Sequence, residues 1–131
     1  MQTQQSSVAT KEQYIQALLK LRDKGRLRNE KFLDMLRAQY ASENHTITAG
    51  RLAEAVGYEK YNSANLKFGS LGHEIADLLE YTPPKRKSGE PIWFWSISTG
   101  NEASNDTQDG HYEFVMRPEL IKALEEMKWV R

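Results

Sequence analysis

The sequence predicts a mainly helical α+β fold, and three observations lead to it. Apolar residues recur at helical spacing through most of the first 80 residues. Residues 47–79 read as a short helix, a tight polar turn and a second helix that begins with small residues, which is the layout of a helix-turn-helix. Two segments rich in aromatic and β-branched residues, 92–98 and 111–116, flank a polar loop and predict a β-hairpin.

Length and composition indicate one domain. We expect it to span residues 10–131, after a polar N-terminal segment, 1–9, that lacks periodicity and is predicted to be disordered. The chain has no cysteine, which excludes disulfides and thiolate chemistry. No apolar run approaches the roughly 20 residues of a membrane helix, and the first residues lack a signal-peptide pattern. We therefore expect a cytoplasmic protein without membrane contacts, of prokaryotic or phage origin.

The first two helices have recognisable boundaries. Thr10 and Gln13 have the spacing of a capping box, so the first helix is expected to begin after Thr10 and to end at Gly25. Asn29 is the predicted N-cap of the second helix. The apolar stripe of that helix is formed by Phe32, Leu33, Leu36 and Tyr40.

The helix-turn-helix segment is preceded by a possible short strand at Ile47. Thr48 is a good N-cap for the third helix, and Gly57 stands where a helix ends in a left-handed residue. Asn62 or Ser63 is the predicted cap of the fourth helix. The apolar positions predicted for that helix are Leu66, Leu71, Ile75, Leu78 and Leu79.

Two glycines are unusual inside the fourth helix. Each of Gly69 and Gly72 costs about 1 kcal/mol relative to alanine in a helix interior. Either the helix starts late, or another backbone packs closely against these positions.

The second half of the chain adds a hairpin and a helix. Residues 82–91 read as a linker, and 92–98 as a strand in which Trp93 and Trp95 share one face. A long loop, 99–110, leads to the return strand 111–116, and Pro118 opens a last helix. A helix-turn-helix followed by a hairpin is the winged-helix arrangement, with the hairpin as the wing.

A resemblance supports this interpretation. The segments Thr48-Ala-Gly-Arg-Leu-Ala-Glu-Ala-Val-Gly57 and Asn62-Ser-Ala-Asn-Leu-Lys-Phe-Gly69 resemble the winged-helix segment of alkylguanine-DNA alkyltransferases and their alkyltransferase-like relatives. Ala49 replaces the usual tyrosine, and the Pro-Cys-His-Arg active-site motif is absent. The region 47–131 is also similar to winged-helix modules fused to restriction-type HNH nucleases, without their His-Asn-His motif. The resemblance therefore implies DNA binding, and neither alkyl transfer nor nuclease activity carries over to this chain.

The candidate DNA-binding residues lie on the second helix of the pair and in the linker. Asparagine can pair with adenine in the major groove, and lysine can reach guanine or phosphate. The alternative is that Asn62 and Ser63 only cap the helix and that the basic cluster of the linker is simply solvated. The set comprises Lys60, Asn62, Ser63, Asn65, Lys67, Ser70, His73, Lys85, Arg86 and Lys87.

Two functions remain open. The favoured one is a DNA-binding winged-helix protein, a regulatory or targeting module of a prokaryotic or phage defence-related system, whose partner is double-stranded DNA. The alternative is a protein-interaction module on the same scaffold, such as a small phage-encoded inhibitor of a host defence complex, with Trp93 and Trp95 as the partner-binding residues. The net charge of zero, from 18 basic and 18 acidic residues, favours the alternative.

Catalysis is not indicated by any motif. The three histidines lie far apart in sequence without metal-ligand spacing, and the chain has no glycine-rich phosphate loop. No nucleophile stands beside a base. We expect no enzyme activity, no cofactor and no metal.

Overall fold

The computed structural model describes residues 8–100 and 112–130. Its order of elements confirms the mainly helical α+β fold. Two short 3-10 helices, Glu43–His45 and Trp93–Ser96, accompany the regular elements, and we call the second the aromatic turn. The regular elements are α1 (Lys11–Asp23), α2 (Arg26–Asn29), α3 (Phe32–Ala41), β1 (Thr46–Thr48), α4 (Ala49–Val56), α5 (Tyr61–Leu79), β2 (Ser98–Gly100), β3 (Glu113–Met116) and α6 (Pro118–Met127).

The three strands form one antiparallel sheet in the order β1-β3-β2. Ile47 of β1 lies opposite Phe114 of β3, and Thr99 of β2 lies opposite Val115. The sheet thus joins the strand before α4 to the hairpin that follows α5, a topology compatible with a winged-helix layout. The predicted loop 99–110 and His111 fall largely outside the described residues, and only Thr99 and Gly100 are seen, in β2.

The predicted helix caps around α1 and α4 are confirmed. The Thr10 hydroxyl accepts from the Gln13 amide at 3.1 Å, and the Gln13 side chain accepts from the Thr10 amide at 2.8 Å. Thr48 caps α4 by accepting from the Arg51 amide at 3.1 Å. Gly57 ends that helix in the left-handed region, with φ of 87°.

The prediction that Asn29 caps a helix is wrong. Asn29 is the last residue of α2, and α3 begins after Lys31, which is left-handed with φ of 63°. The Lys31 ammonium donates to the carbonyl of Val56 at 2.9 Å and lies 5.0 Å from the centre of the Tyr58 ring. These tertiary contacts, rather than a side-chain cap, hold the turn between α2 and α3.

The N-terminal boundary also needs a correction. Ala9 is buried and Val8 packs against the core, so the predicted disordered segment 1–9 extends at least two residues too far. Residues 1–7 lie outside the described part of the chain.

The start of α5 differs from the prediction. Lys60 is the N-cap residue, and no side chain caps the first turn, so neither Asn62 nor Ser63 has that role. Leu66, predicted to be a core position, is 75% exposed. Small residues take the buried positions instead, and the buried set is Ala64, Phe68, Leu71, Gly72, Ile75 and Ala76.

The predicted strand 92–98 is wrong over most of its length. The chain instead forms the aromatic turn, and β2 begins only at Ser98. Two buried hydrogen bonds fix this turn: the Tyr14 hydroxyl donates to the Ser96 carbonyl at 2.6 Å, and the Ser96 hydroxyl donates to the Gly72 carbonyl at 2.7 Å. In a 3-10 helix, with three residues per turn, residues i and i+2 do not share a face. The proposed common face of Trp93 and Trp95 therefore does not exist.

The core is built around α5. Phe68 of this helix meets Phe114 of the sheet with ring centres 4.7 Å apart. Tyr14 of α1 and Phe32 of α3 are fully buried in the same cluster, and Leu120 and Leu124 of α6 complete it. One side of α5 is therefore fixed by the core, which leaves the opposite side facing outward.

Candidate nucleic-acid interface

The outward side of α5 is a continuous surface. At 3.6 residues per turn, the exposed positions fall on the side opposite the buried ones. We call this surface the outer face. Its centre is Leu66, and its members are Asn62, Ser63, Leu66, Gly69, Ser70, His73 and Asp77.

The outer face is mostly polar around one apolar side chain. From Asn62 to Ser70 it extends about 12 Å along the helix axis, at 1.5 Å per residue. Amide and hydroxyl groups flank one apolar side chain, Leu66, on this surface. Apart from His73 and Asp77 near its C-terminal end, the face carries no titratable group.

Lys67 lies beside the outer face rather than on it. Its ammonium forms a hydrogen-bonded ion pair with the carboxylate of Glu30, and its side chain is 39% exposed. This contact holds the pKa of Glu30 below its usual range, with a further contribution from Arg26. Arg26 also pairs with Glu74 of α5. The helix junction thus uses its charges to hold α2 against α5, and Lys67 is already partnered.

His73 is held in place by an aromatic neighbour. Its ring stacks on Trp93 with centres 3.7 Å apart and planes 7° apart. Its Nε2 lies 3.6 Å from a carboxylate oxygen of Asp77, one turn later. His73 therefore forms the boundary between the outer face and the aromatic turn, rather than a free side chain.

The second predicted partner residue, Trp95, lies elsewhere. The guanidinium of Arg117 sits 5.6 Å from the centre of the Trp95 ring, and its Nε donates to the Trp95 carbonyl at 2.7 Å. Burial lowers the pKa of Arg117. Sequence reasoning missed Arg117, whose position between a strand and a proline gives no signal of this contact.

Burial also affects Tyr14, which lies behind the aromatic turn. It raises the pKa of this phenol, whose hydroxyl supports the turn through Ser96. Tyr14 and Arg117 thus hold the backbone of the aromatic turn in the position in which Trp93 stacks on His73 of α5.

The basic cluster lies in a tight turn. Lys85 pairs with Pro91 in an antiparallel bridge, and the Arg86 amide donates to the Glu90 carbonyl at 2.8 Å. All three basic side chains, of residues 85–87, are exposed. Because Pro91 is two residues before Trp93, the backbone of Lys85 lies within roughly 12 Å of Trp93 and so close to α5.

The remaining predicted residues lie near the start of α5. Lys60 and Asn65 are both exposed. Asn65 points about 100° around the helix from Leu66, so it lies off the outer face. The structure therefore brings together Asn62, Ser63 and Ser70, with Lys60 at the helix start, and separates them from Asn65 and Lys67.

The concave sites do not involve the outer face, and one of them, of about 360 Å³, lies between α1 and the C-terminal end of α5 at Leu78 and Leu79. One groove of about 760 Å³ is lined by α2 and α3 together with Trp129, and another of about 520 Å³ lies between β1 and Arg51. Neither includes a residue of the outer face, which is convex. Among the described residues, no three histidine or acidic side chains are grouped to hold a metal ion.

Comparison with other proteins gives no relative from which a function could be transferred. The chain matches no protein family, no curated protein and no solved structure. Within residues 8–100 and 112–130, no helix has the length and apolar character needed to cross a membrane.

Proposed function

We propose that this protein binds double-stranded DNA as a winged-helix protein, with the outer face of α5 in the major groove. The observation that carries the proposal is the combination of an outward-facing second helix with a strand β1 that pairs with the following hairpin. In winged-helix and other helix-turn-helix proteins the second helix of the pair is the one that reads base edges.

The outer face supplies the groups for this contact. Asn62 can make paired hydrogen bonds to adenine, and Ser63 and Ser70 can hydrogen-bond to any base. Lys60 stands at the start of the helix, where uncapped backbone amides also favour a phosphate. The exposed residues Lys85, Arg86 and Lys87 are placed to contact the backbone phosphates.

The test is fluorescence anisotropy of a labelled random-sequence duplex at roughly 50 and 200 mM salt. Four basic residues on phosphates give a slope of about −3.6 in log affinity against log salt, so affinity should fall roughly 150-fold between these conditions. Saturable binding with this dependence supports the proposal. Binding that is absent at both salts contradicts it.

The biological role that we infer is a regulatory or targeting module of a prokaryotic or phage defence-related system. It rests on the composition and motif arguments and on the absence of a catalytic constellation in the sequence. A module of this kind needs only recognition, which a single rigid helix face can supply.

A protein-interaction function is the second candidate, and Leu66 is the observation that favours it. An apolar side chain that is 75% exposed can anchor a protein partner, and a net charge of zero suits such a surface. Native co-purification tests this function. The protein-interaction function is favoured if wild type retains a partner protein in stoichiometric amount, if Leu66→Asp loses it, and if wild type does not bind DNA.

A further inference from the structure

Leu66 lies outside the core. It is the one large hydrophobic side chain among the described residues that is predominantly exposed, while its neighbours Ala64 and Phe68 are fully buried. It also lies at the centre of the outer face, one helical turn after Asn62 and one turn before Ser70. In the middle of a polar surface that binds DNA, an apolar side chain contributes to binding when it contacts an apolar group of the ligand.

The major groove offers one apolar group of this kind. Thymine carries a C5-methyl there, and apolar side chains contact it, whereas adenine, guanine and unmodified cytosine carry no methyl group. The other side chains of the outer face agree with A·T pairs. Guanine is read mainly by arginine or lysine, but the outer face has neither, and Lys67 is paired with Glu30 beside it.

We propose that Leu66 reads the thymine methyl group and gives this protein a preference for A·T base pairs in the major groove. The inference rests on the proposed function, since it assigns a specificity to the same helix. Asn62 recognises adenine one turn away, and Leu66 contacts the methyl group of a neighbouring thymine. Gly69 lies beside Leu66, and no atom lies within 4 Å of the position that its Cβ would take. The space beside the Leu66 side chain is therefore open.

The experiment compares two duplexes that differ only in the methyl group. One is an alternating duplex of deoxyadenosine and thymidine, and the other has deoxyuridine in place of thymidine. Wild type should bind the thymidine duplex about 4-fold more tightly for each methyl group that Leu66 covers. Leu66→Ala should bind both duplexes equally.

Asn62→Ala is the matched control. It lies on the same face, so it should weaken binding to both duplexes while keeping the preference for thymidine. Circular dichroism establishes that both variants are folded, which is expected because both side chains are exposed.

The outcomes separate the inference from the proposed function. If wild type binds both duplexes equally well, or if Leu66→Ala keeps the preference, then Leu66 does not read the methyl group and the inference fails while DNA binding stands. If neither duplex is bound at roughly 50 mM salt, the proposed function and the inference fail together.

Discussion

At the scale of single residues, Gly72 decides how α5 meets the rest of the chain. A Cβ at this position would lie 2.4 Å from the carbonyl oxygen of Trp93 and 2.7 Å from the Cα of Phe94. The sequence left two explanations for the glycines of this helix, and close approach of another backbone is the correct one for Gly72. Gly69, about 4.5 Å earlier along the same helix, has no such neighbour, so close packing does not explain this glycine.

The two glycines therefore predict opposite effects on stability. Gly72→Ala forces the aromatic turn away from α5 and should lower the free energy of unfolding by about 1–3 kcal/mol, as overpacking does. Gly69→Ala fills open space and should raise it by up to about 1 kcal/mol through helix propensity. Urea denaturation of both variants measures these values. Equal stability of Gly72→Ala and wild type would show that the turn is not tightly packed.

Glu30 gives a pH-dependent prediction at the same scale. The Lys67 ammonium lowers the pKa of this carboxylate in the folded state, so the pair stabilises the fold above the unfolded-state pKa of about 4.3 and loses this effect as pH falls through the lower folded value. Glu30→Gln should be less stable than wild type at pH 7. The difference should shrink as the pH falls below about 4.

Denaturation at neutral and acidic pH measures this difference. Glu54→Gln, an exposed change on α4, is the matched control and should show a smaller effect at pH 7. A Glu30→Gln difference that stays constant with pH would mean that the ion pair does not contribute to stability.

At the scale of elements, the sequence predicts α1, α4, β1 and α6 well because their signals are local. A capping side chain, a left-handed glycine and a proline in the first turn act within three or four residues. The start of α5 and the aromatic turn were missed because distant contacts determine them. Aromatic composition favours a strand at 92–98. A turn forms instead because Gly72, which lacks a side chain, lets the backbone of this segment approach α5, and because the Tyr14 hydroxyl bonds to it.

The faces of α5 show a related limit. Counting large apolar residues placed Leu66 in the core, whereas the buried side is formed partly by Ala64, Gly72 and Ala76. Small residues allow close packing without giving a strong hydrophobic pattern. The positions of Asn62, Ser63 and Ser70 could be predicted from the motif, but the partnering of Lys67 and His73 could not, because Glu30 and Trp93 are distant in sequence.

The basic turn gives a prediction at this scale. If residues 85–87 contact phosphates, replacing all three with alanine should reduce the magnitude of the slope of log affinity against log salt by about 3. Anisotropy at several salt concentrations measures the slope. The matched control replaces three exposed basic residues around the end of α1, Arg22, Lys24 and Arg28, and should leave the slope nearly unchanged. A similar loss in both variants would indicate general electrostatic attraction rather than contact by this turn.

At the scale of the whole molecule, long-range contacts connect the N-terminal helices to the proposed reading unit. Tyr14 in α1 bonds to Ser96, 82 positions later in the chain. Arg37 of α3 donates to the Trp129 carbonyl at 2.7 Å, and β1 pairs with β3. The sequence predicts one domain from its length, and these contacts link α1, α3 and β1 to the second half of the chain.

One cooperative unfolding transition follows from these contacts. Tyr14→Phe leaves the buried Ser96 carbonyl without its donor and should lower the free energy of unfolding by about 1–3 kcal/mol. The midpoint of unfolding should fall to the same denaturant concentration in two signals. Circular dichroism reports all helices, and tryptophan fluorescence reports the aromatic turn and the C-terminal end. Tyr40→Phe removes a hydroxyl that donates to Glu125 at an exposed position, so it is the matched control and should cost less. If the two signals separate in Tyr14→Phe, the N-terminal helices unfold independently of α5 and the sheet, and the protein contains two units rather than one.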